Sequence, residues 1–341
     1  MYSFHLPDYL AIRTDPEVLG LSFDSEAQVD YHRILERKTA RFFGAPASVF
    51  FPDGYMAYLA LLRSLVREGD SILVATRERG IIKDALEIAH RRTRNVSIRA
   101  LNGKPIAENI RPNCSRVLVL ARGLAETECG ISPVARWVEE LRNLHDQRGI
   151  PGGVLLEDSH AVGILGPQYR GVLEHLGVDV SLDPESSAPV QCCFSASFSK
   201  AFGAYGGFIV GARPWIRQIR ETEPGCSDRH MPISMAVATL KSLQLTLEPE
   251  RHARLARNIL LLHQILAKYE LPFESHPLLP YVLIKTRNPR NIVQSLIALG
   301  FRIGLTHFTR SPKLRINVNA AHTEREIELL AQKLASLLKK N

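Results

Sequence analysis

Continuous apolar segments alternate with amphipathic segments of helical length through most of the chain. Between residues 48 and 210 the apolar segments are 48–51, 71–75, 96–98, 116–120, 153–156, 191–195 and 208–210. Strands without polar interruptions are buried on both faces, and the helices between them supply the cover. The alternation therefore predicts an α/β fold with a mostly parallel central sheet and helices on both of its faces.

The pattern changes after about Pro232, where two long helical stretches separated by Pro249 precede shorter strands and helices. Near the end of the chain, the sequence from Thr323 to Glu326 has the form of a capping box and predicts the start of a last helix. We therefore expect three parts: an N-terminal arm (residues 1–30), a large domain (31–248) and a smaller C-terminal α/β domain (249–341).

Composition excludes several classes of protein. The 341 residues carry a net charge of +8 that no single tract concentrates, and no nucleic-acid-binding signature is present, so we expect no nucleic-acid partner. No apolar run is long enough to cross a bilayer, and no signal peptide is visible. The five cysteines lack the spacing of a disulfide or zinc framework, which predicts reduced thiols, no metal site and a cytoplasmic protein.

One lysine lies in a turn rich in glycine and serine that follows a predicted strand. Lys200 stands close to Ser197 and Ser199, and three glycines follow it before residue 208. A primary amine forms an imine with an aldehyde, small neighbours admit a flat ring, and hydroxyls can hold a phosphate. These features are typical of the lysine that binds pyridoxal 5'-phosphate (PLP).

A second polar cluster, Glu157-Asp158-Ser159-His160, closes the apolar segment that precedes it. PLP needs a carboxylate that keeps its ring nitrogen protonated, and a histidine can contact the ring hydroxyl or a substrate oxygen. Neighbouring residues on a strand point to opposite faces, so only one of Glu157 and Asp158 can face the cofactor, and the sequence leaves both possible. Because ligands bind beyond the carboxyl ends of parallel strands, Glu157, His160 and Lys200 should share one rim.

Two further positions are weaker candidates. Gly54 lies in the strand-to-helix turn Asp53-Gly54-Tyr55-Met56, where backbone amides at a helix start can bind phosphate. Arg315 offers a guanidinium fork that fits an amino-acid carboxylate. On sequence alone, a solvated charge on an edge strand is the more economical interpretation of Arg315.

These residues together resemble the α-oxoamine synthase family, which belongs to the fold-type I PLP-dependent enzymes. The resemblance spans nearly the whole chain and is carried by residues 8–18, 51–57, 157–171, 197–207 and 313–323. The resemblance implies a fold-type I PLP-dependent transferase fold and a homodimer with its active site at the subunit interface. It also implies a reaction that joins an amino acid to an acyl-CoA.

Carried over by position, the resemblance implies that Lys200 forms the imine with PLP and that Glu157 occupies the position of the ring-nitrogen carboxylate. His160 would contact the ring hydroxyl and the substrate carbonyl, and Ser197 would bind the phosphate. Catalysis would thus rest on Lys200, His160 and Glu157.

The same resemblance implies cofactor or substrate contacts for four more residues. Gly54 and Tyr55 fall in the phosphate-binding turn, and Arg315 would hold the substrate carboxylate. Arg79 stands where the family has a histidine that stacks on the cofactor ring, and a guanidinium can also lie flat on a ring. Two alternatives to the acyltransferase remain open, namely a PLP-dependent aminotransferase or decarboxylase and a degenerate homologue without catalysis.

Overall fold

The computed structural model describes residues 2–21, 30–75, 87, 95–101, 103–125, 129–178, 190–221, 231–306 and 311–339. The strands in these ranges are β1 (Tyr2–Phe4), β2 (Ala47–Phe51), β3 (Asp70–Val74), β4 (Ser97–Ala100), β5 (Arg116–Arg122), β6 (Leu124–Ala125), β7 (Gly130–Ile131), β8 (Gly152–Glu157), β9 (Val190–Ser197), β10 (Gly207–Gly211), β11 (Glu274–Ser275), β12 (Tyr281–Ile284), β13 (Phe301–Leu305) and β14 (Leu314–Asn317). The helices are α1 (Pro16–Leu19), α2 (Tyr31–Phe43), α3 (Gly54–Leu65), α4 (Ile106–Asn109), α5 (Val134–Arg148), α6 (Val172–His175), α7 (Arg213–Arg220), α8 (Ile233–Leu245), α9 (Pro249–Lys268), α10 (Pro289–Ala298) and α11 (Glu324–Lys339).

A seven-stranded sheet in the order β2-β10-β9-β8-β5-β3-β4 forms the centre of the larger part. Strands β9, β8, β5, β3 and β4 run parallel, and only β10 is antiparallel to both of its neighbours. The predicted α/β fold with a mostly parallel sheet is confirmed. The direction of β10 is reversed because the loop between β9 and β10, which contains Lys200, is too short to hold a crossover helix.

Helices cover both faces of this sheet, as strands that are apolar on both sides require. Alternate residues of β8 serve the two faces: Leu155 packs in the cluster that includes residues of α3 and α7, whereas Leu156 packs in the cluster that includes residues of α2, α5 and α8. The same alternation decides where the polar residues at the end of β8 point.

The C-terminal part contains a five-stranded sheet in the order β1-β13-β14-β12-β11. Its first strand comes from the N-terminal arm, since β1 pairs in parallel with β13. Strand β14, which carries Arg315, lies between β13 and β12 and is therefore not an edge strand. The edge-strand interpretation of Arg315 is wrong, because pairing on both sides places this residue in the interior of the sheet.

The start of α11 has the predicted capping box. The backbone N–H of Thr323 donates to Glu326 Oε2 at 2.7 Å, and the backbone N–H of Glu326 donates to Thr323 Oγ1 at 3.3 Å. This exchange satisfies two amide donors at the helix start. Among the helices that the structure describes, none combines the length and apolarity needed to cross a membrane.

Candidate functional site

The carboxyl ends of β8 and β9 lie side by side at one edge of the central sheet. Glu157 is paired with Ser195 in the register of the two parallel strands, and β9 ends two residues later at Ser197. Gly207 pairs with Ser197 on one side and with Phe51 on the other, so β2 ends at the same level. The helix that follows β2 therefore starts beside the end of β9.

Lys200 lies in a tight loop between β9 and β10. Two hydrogen bonds join the ends of the loop, from Phe198 N to Gly206 O at 2.9 Å and from Ala204 N to Phe198 O at 2.9 Å. The hydroxyls of Ser197 and Ser199 are 2.8 Å apart, and Lys200 itself is half-buried. The loop is thus fixed by its own hydrogen bonds, which limits the positions that the lysine amine can reach.

The segment after His160 packs closely on this lysine loop. Gly163 adopts φ +81°, and a Cβ added there would come within 2.7 Å of Ala201 Cβ. Glycine is required here because of both the left-handed backbone and the close approach. The N-terminal arm contacts the same loop, since Arg13 Nη2 donates to Ser199 O at 3.0 Å.

Glu157 and Asp158 point to opposite faces of the sheet. The Oε2 atom of Glu157 lies 3.8 Å from Arg122 Nε, and its Oε1 accepts hydrogen bonds from Ser159. Asp158 is 2% exposed, accepts from Val172 N at 2.9 Å, and lies close to Gly123, where an added Cβ would overlap its Oδ1. Burial raises the pKa of the Asp158 carboxyl well above its usual value, and the neighbouring charge of Glu157 adds to the effect.

Ser159 joins the two strand ends. Its hydroxyl donates to the Glu157 carboxylate and accepts from the backbone N–H of Ser197 at 2.9 Å. These hydrogen bonds fix the position of the Glu157 carboxylate relative to Ser197, the residue at which the lysine loop begins. Asp158, which bonds the start of α6, takes no part in this connection.

His160 and Arg315 meet through a third side chain, Tyr9 of the arm. The Tyr9 hydroxyl is 2.9 Å from His160 Nδ1, and Arg315 Nη2 donates to it at 3.3 Å. Because a guanidinium only donates, the phenol oxygen acts as acceptor and its own proton can go to His160 Nδ1. Such an arrangement places the proton of a neutral imidazole on Nε2.

Arg315 is held from two further sides. Its Nε donates to Asn317 Oδ1 at 3.1 Å, and its guanidinium carbon lies 4.2 Å from the centre of the Tyr281 ring. The stacked ring and the two acceptors orient the plane of the guanidinium. A fixed plane of this kind suits bidentate binding of a carboxylate.

The start of α3 approaches the end of β9. The Asp53 carboxylate accepts from Met56 N at 2.8 Å as the helix cap, and a Cβ added to Gly54 would lie 3.1 Å from Ser197 Cβ. The first backbone N–H groups of a helix have no partner within the helix and favour an anion. Gly54 and Ser197 thus lie side by side, with Tyr55 next in the chain; that these residues bind the phosphate stays a prediction.

Arg79 lies outside the described residues, as does most of the segment between Leu21 and Tyr31. The structure therefore gives no position for the predicted ring-stacking side chain. Within the ranges that the structure describes, no cluster of three or more His, Cys, Asp or Glu side chains could hold a metal ion.

The donor set at this edge fits PLP. It combines a lysine amine, helix-start amides and two serine hydroxyls suited to a phosphate, a carboxylate for the ring nitrogen and a histidine for the ring hydroxyl. Two buried hydroxyls near Glu157, those of Ser195 and Tyr58, have no hydrogen-bond partner among the described residues. Unpartnered buried polar atoms of this kind are typical of a site whose hydrogen bonds a bound ligand completes.

Sequence reasoning missed Tyr9, Ser159 and Arg13 as members of the site. Tyr9 falls within the arm segment that carries the family resemblance, but a lone tyrosine gives no chemical signal. Ser159 stands between two candidates, Asp158 and His160, and this position in the polar cluster is the sequence signal that indicates its role. Nothing in the sequence around Arg13 indicates its contact with the lysine loop.

Comparisons with known proteins agree with this geometry. A family model described as aminotransferase class I and II matches residues 24–334. An 8-amino-7-oxononanoate synthase of Ectopseudomonas mendocina (strain ymp) is 27% identical over 358 residues, which cover 98% of this chain and 88% of that protein.

Two solved structures are similar in fold. A variant of serine palmitoyltransferase from S. paucimobilis with a bound PLP–myriocin aldimine has a TM-score of 0.82 at 19% identity, covering 99% of this chain and 87% of that chain. An 8-amino-7-oxononanoate synthase from Francisella tularensis has a TM-score of 0.78 at 17% identity, covering 100% of this chain and 98% of that chain.

The central sheet, with the lysine loop at its carboxyl edge, has the fold of the fold-type I PLP-dependent enzymes. The chain belongs to the aminotransferase class I and II family. Within it, the resemblance to the α-oxoamine synthases is confirmed. The protein is thus a PLP-dependent transferase, and the prediction of PLP as its cofactor is confirmed.

Proposed function

We propose that the protein is an acyl-CoA:amino acid C-acyltransferase of the α-oxoamine synthase type. The observation that carries the proposal is the hydrogen-bonded chain from His160 through Tyr9 to Arg315. It connects a proton-transfer residue to a carboxylate-binding residue, which is what a reaction at the α-carbon of an amino acid needs. The similarity to 8-amino-7-oxononanoate synthase over 98% of the chain favours the acyl-CoA reaction over transamination.

The residues that would hold the cofactor follow from the site. Lys200 would bind it covalently, the start of α3 at Gly54 and Tyr55 together with Ser197 would take the phosphate, and Glu157 would pair with the ring nitrogen. PLP, when bound, supplies an electron sink for the negative charge that develops at the α-carbon. Glu157 is proposed rather than Asp158 because Asp158 is turned towards α6 and Gly123.

The chain's own groups would then divide the remaining work. Arg315 would bind the substrate carboxylate and so orient the amino acid. His160 Nε2–H would donate to an oxygen of the substrate. Lys200 Nζ would remove and return the proton at the α-carbon, in a loop whose hydrogen bonds keep the amine in reach. Arg79 would stack on the cofactor ring, as the resemblance implies.

We also propose a cytoplasmic homodimer with the site at the subunit interface. Two tyrosines at the rim are unusually exposed for aromatic residues: Tyr205 of the lysine loop is 58% exposed and Tyr55 of α3 is 41% exposed. Exposed aromatic side chains beside a site suit a protein interface. The cysteines at 114, 129, 192 and 193 are free and buried, which suits a reducing compartment.

Borohydride reduction of the PLP-treated protein tests the cofactor assignment. Peptide mass spectrometry should find the reduced pyridoxyl group on Lys200, and Lys200→Ala should lose both the label and the absorbance band of the imine. Lys333→Ala, which removes an exposed lysine of α11, should keep both. A label elsewhere on the wild-type protein would contradict the assignment.

Two variants separate the roles of the neighbouring carboxylates. Glu157→Gln should weaken PLP binding by about tenfold or more, because the ring nitrogen loses a charged partner, whereas Asp158→Asn should leave the affinity within about twofold. The dissociation constant for PLP, measured by absorbance titration, gives the answer. If Asp158→Asn weakened PLP binding more than Glu157→Gln does, Asp158 would be the partner of the ring nitrogen.

The reaction itself is tested by supplying amino acids with either a CoA thioester or a 2-oxo acid. Release of free CoA thiol that depends on both the amino acid and Lys200 is the expected result. Turnover with the 2-oxo acid in the absence of a thioester would instead show an aminotransferase. PLP binding with neither activity, across a panel of amino acids and acyl chains, would favour the non-catalytic homologue.

A further inference from the structure

A cavity lies away from the lysine loop, between α9 and the segment that leads into α11. Its volume is about 620 Å³, within the range of small-molecule sites. Leu10 and Ala11 of the N-terminal arm form part of its lining. We propose that this cavity binds a small amphipathic anion, with the charged group on Arg254 and Arg257 and the hydrocarbon part against Leu260 and Leu261.

The positive charge of the cavity comes from one face of α9. Arg251, Arg254 and Arg257 follow each other at intervals of three residues and all line the cavity. Arg251 is compensated, because it contacts Asp15 at 2.5 Å and Glu248 at 2.8 Å. The other two arginines are exposed, and neither forms an ion pair with any residue that the structure describes.

One carboxylate opposes these charges. Glu324, the first residue of α11, also lines the cavity. Two uncompensated guanidinium groups against one carboxylate leave an excess of positive charge. A guanidinium binds a carboxylate or a phosphate through paired hydrogen bonds, so an anionic head group is the ligand that this charge selects.

The rest of the lining is largely apolar. Leu260 is 58% exposed on α9 beside the two arginines, and Leu261 follows it. Ala320 and Ala321 lie on the opposite side of the cavity, in the segment before α11. A hydrocarbon chain attached to the anion would remove this apolar surface from water, which an inorganic anion cannot do.

The cavity is also connected to the candidate active site through the arm. Ala320 N donates to Tyr9 O at 2.9 Å and Arg251 Nη1 donates to Leu10 O at 3.4 Å, while the side chain of Tyr9 reaches His160. Ala11 adopts φ +54°, a left-handed conformation that is strained for alanine. A ligand against Ala11 therefore contacts the segment that positions the Tyr9 hydroxyl, and its binding should protect the backbone amides of this segment from exchange.

Titration calorimetry with octanoate tests the proposal on the full-length protein without PLP. Wild type should bind octanoate saturably, and acetate at least about tenfold more weakly because it lacks the chain. Arg254→Ala/Arg257→Ala should weaken octanoate binding by at least about tenfold, since it removes both charged donors. The matched control is Arg287→Ala/Arg290→Ala, which removes two exposed arginines with the same spacing near α10 and should bind as wild type does.

Amide hydrogen exchange locates the ligand in the same samples. Octanoate should slow exchange in peptides that cover residues 8–13, 251–261 and 320–324 of wild type, but not in Arg254→Ala/Arg257→Ala. No saturable binding by wild type, or equal binding by the two double variants, would overturn the proposal, and protection confined to residues 197–207 would place octanoate in the active site instead. Octyl phosphate and octanoate compared side by side show which head group the arginines prefer.

These measurements need neither PLP nor turnover. Failure of the proposed acyltransferase activity would therefore leave the octanoate result unaffected. Equally, failure of the cavity to bind octanoate would not alter the assignment of Lys200.

Discussion

The hydroxyl of Tyr9 lies 2.9 Å from Nδ1 of His160, although the two residues are 151 positions apart in the chain. Tyr9 is fully buried, and the same hydroxyl accepts from Arg315 Nη2. The N-terminal arm thus supplies the contact that holds the imidazole of the large sheet relative to the guanidinium of the small sheet. A residue outside both sheets sets the geometry between them.

Tyr9→Phe should lower kcat/KM for the amino-acid substrate by about 10- to 100-fold. The substitution keeps the ring but removes a hydroxyl that bonds a charged partner, and such hydrogen bonds contribute about 1.5–3 kcal/mol. PLP binding should change little, because the phosphate and ring-nitrogen contacts are elsewhere. Steady-state kinetics with the imine absorbance as a second readout measures both.

The control for this variant is Tyr269→Phe. It removes a hydroxyl that donates to Glu328 at 2.7 Å, on a part of the C-terminal region without candidate site residues. Its kinetics should match wild type. Equal losses in the two variants would show that Tyr9 acts through general stability and not through His160.

Ser159→Ala should raise the dissociation constant for PLP by about tenfold. The hydroxyl connects Glu157 to the backbone of Ser197, and its loss frees the carboxylate that we propose to pair with the ring nitrogen. Ser242→Ala is the matched control, since its hydroxyl donates to Ala238 O within α8 and has no contact with the site. An unchanged PLP affinity in Ser159→Ala would show that Glu157 keeps its position without this bond.

Much of the fold could be predicted because its signals are local. The apolar segments that predict strands match β2, β3, β5, β8, β9 and β10 to within two residues at either end. Pro249 separates α8 from α9, as expected of a residue without an amide donor. The capping box at Thr323 places the start of α11 because its bonds span only three residues.

The relations that depend on distant parts of the chain could not be predicted. No local pattern shows that β1 would pair with β13, some 300 residues away, or that Tyr9 would reach His160. The sequence also could not show which of Glu157 and Asp158 faces the lysine loop, because strand alternation shows that they diverge but not which side holds α3. In the structure Val172 and Gly123 enclose Asp158, whereas Ser159 connects Glu157 to Ser197. That Glu157 pairs with the ring nitrogen stays a proposal.

Asp158→Asn should make the free energy of unfolding less dependent on pH. Burial raises the pKa of this carboxyl in the folded state, so at pH values above the unfolded-state pKa of about 3.9 the unfolded chain releases a proton that the folded chain retains. Stability from this group is therefore lost as the pH rises. Asparagine does not titrate, so the variant does not lose stability in this way as the pH rises.

Urea unfolding of the protein without PLP at about pH 5 and about pH 7 measures this effect. The variant should gain stability relative to wild type between the two pH values, by up to about 1.4 kcal/mol for each pH unit below the folded-state pKa. Asp146→Asn, at an exposed carboxylate of α5, should show no such gain. If Asp158→Asn instead lost stability relative to wild type as the pH rises, the folded protein would stabilise the ionised carboxylate of Asp158.

Gly163→Ala should destabilise the protein more than Gly300→Ala does. Both glycines have positive φ, +81° at Gly163 and +87° at Gly300, so alanine meets similar backbone strain at the two positions. The added Cβ at Gly300 meets no atom within 4 Å, whereas at Gly163 it would lie 2.7 Å from Ala201 Cβ, in the lysine loop. The difference between the two variants therefore isolates the steric contact, which should cost about 1–3 kcal/mol in the free energy of unfolding.

Relief of this contact requires the lysine loop to move, so Gly163→Ala should also alter the imine of Lys200. Urea unfolding and the imine absorbance, recorded on both variants, separate the two consequences. We expect Gly300→Ala to lose stability with an unchanged absorbance band, and Gly163→Ala to lose more stability and to shift or weaken the band. Equal free energies of unfolding for the two variants would show that the segment after His160 can move away from Ala201, and that its packing does not fix the position of Lys200.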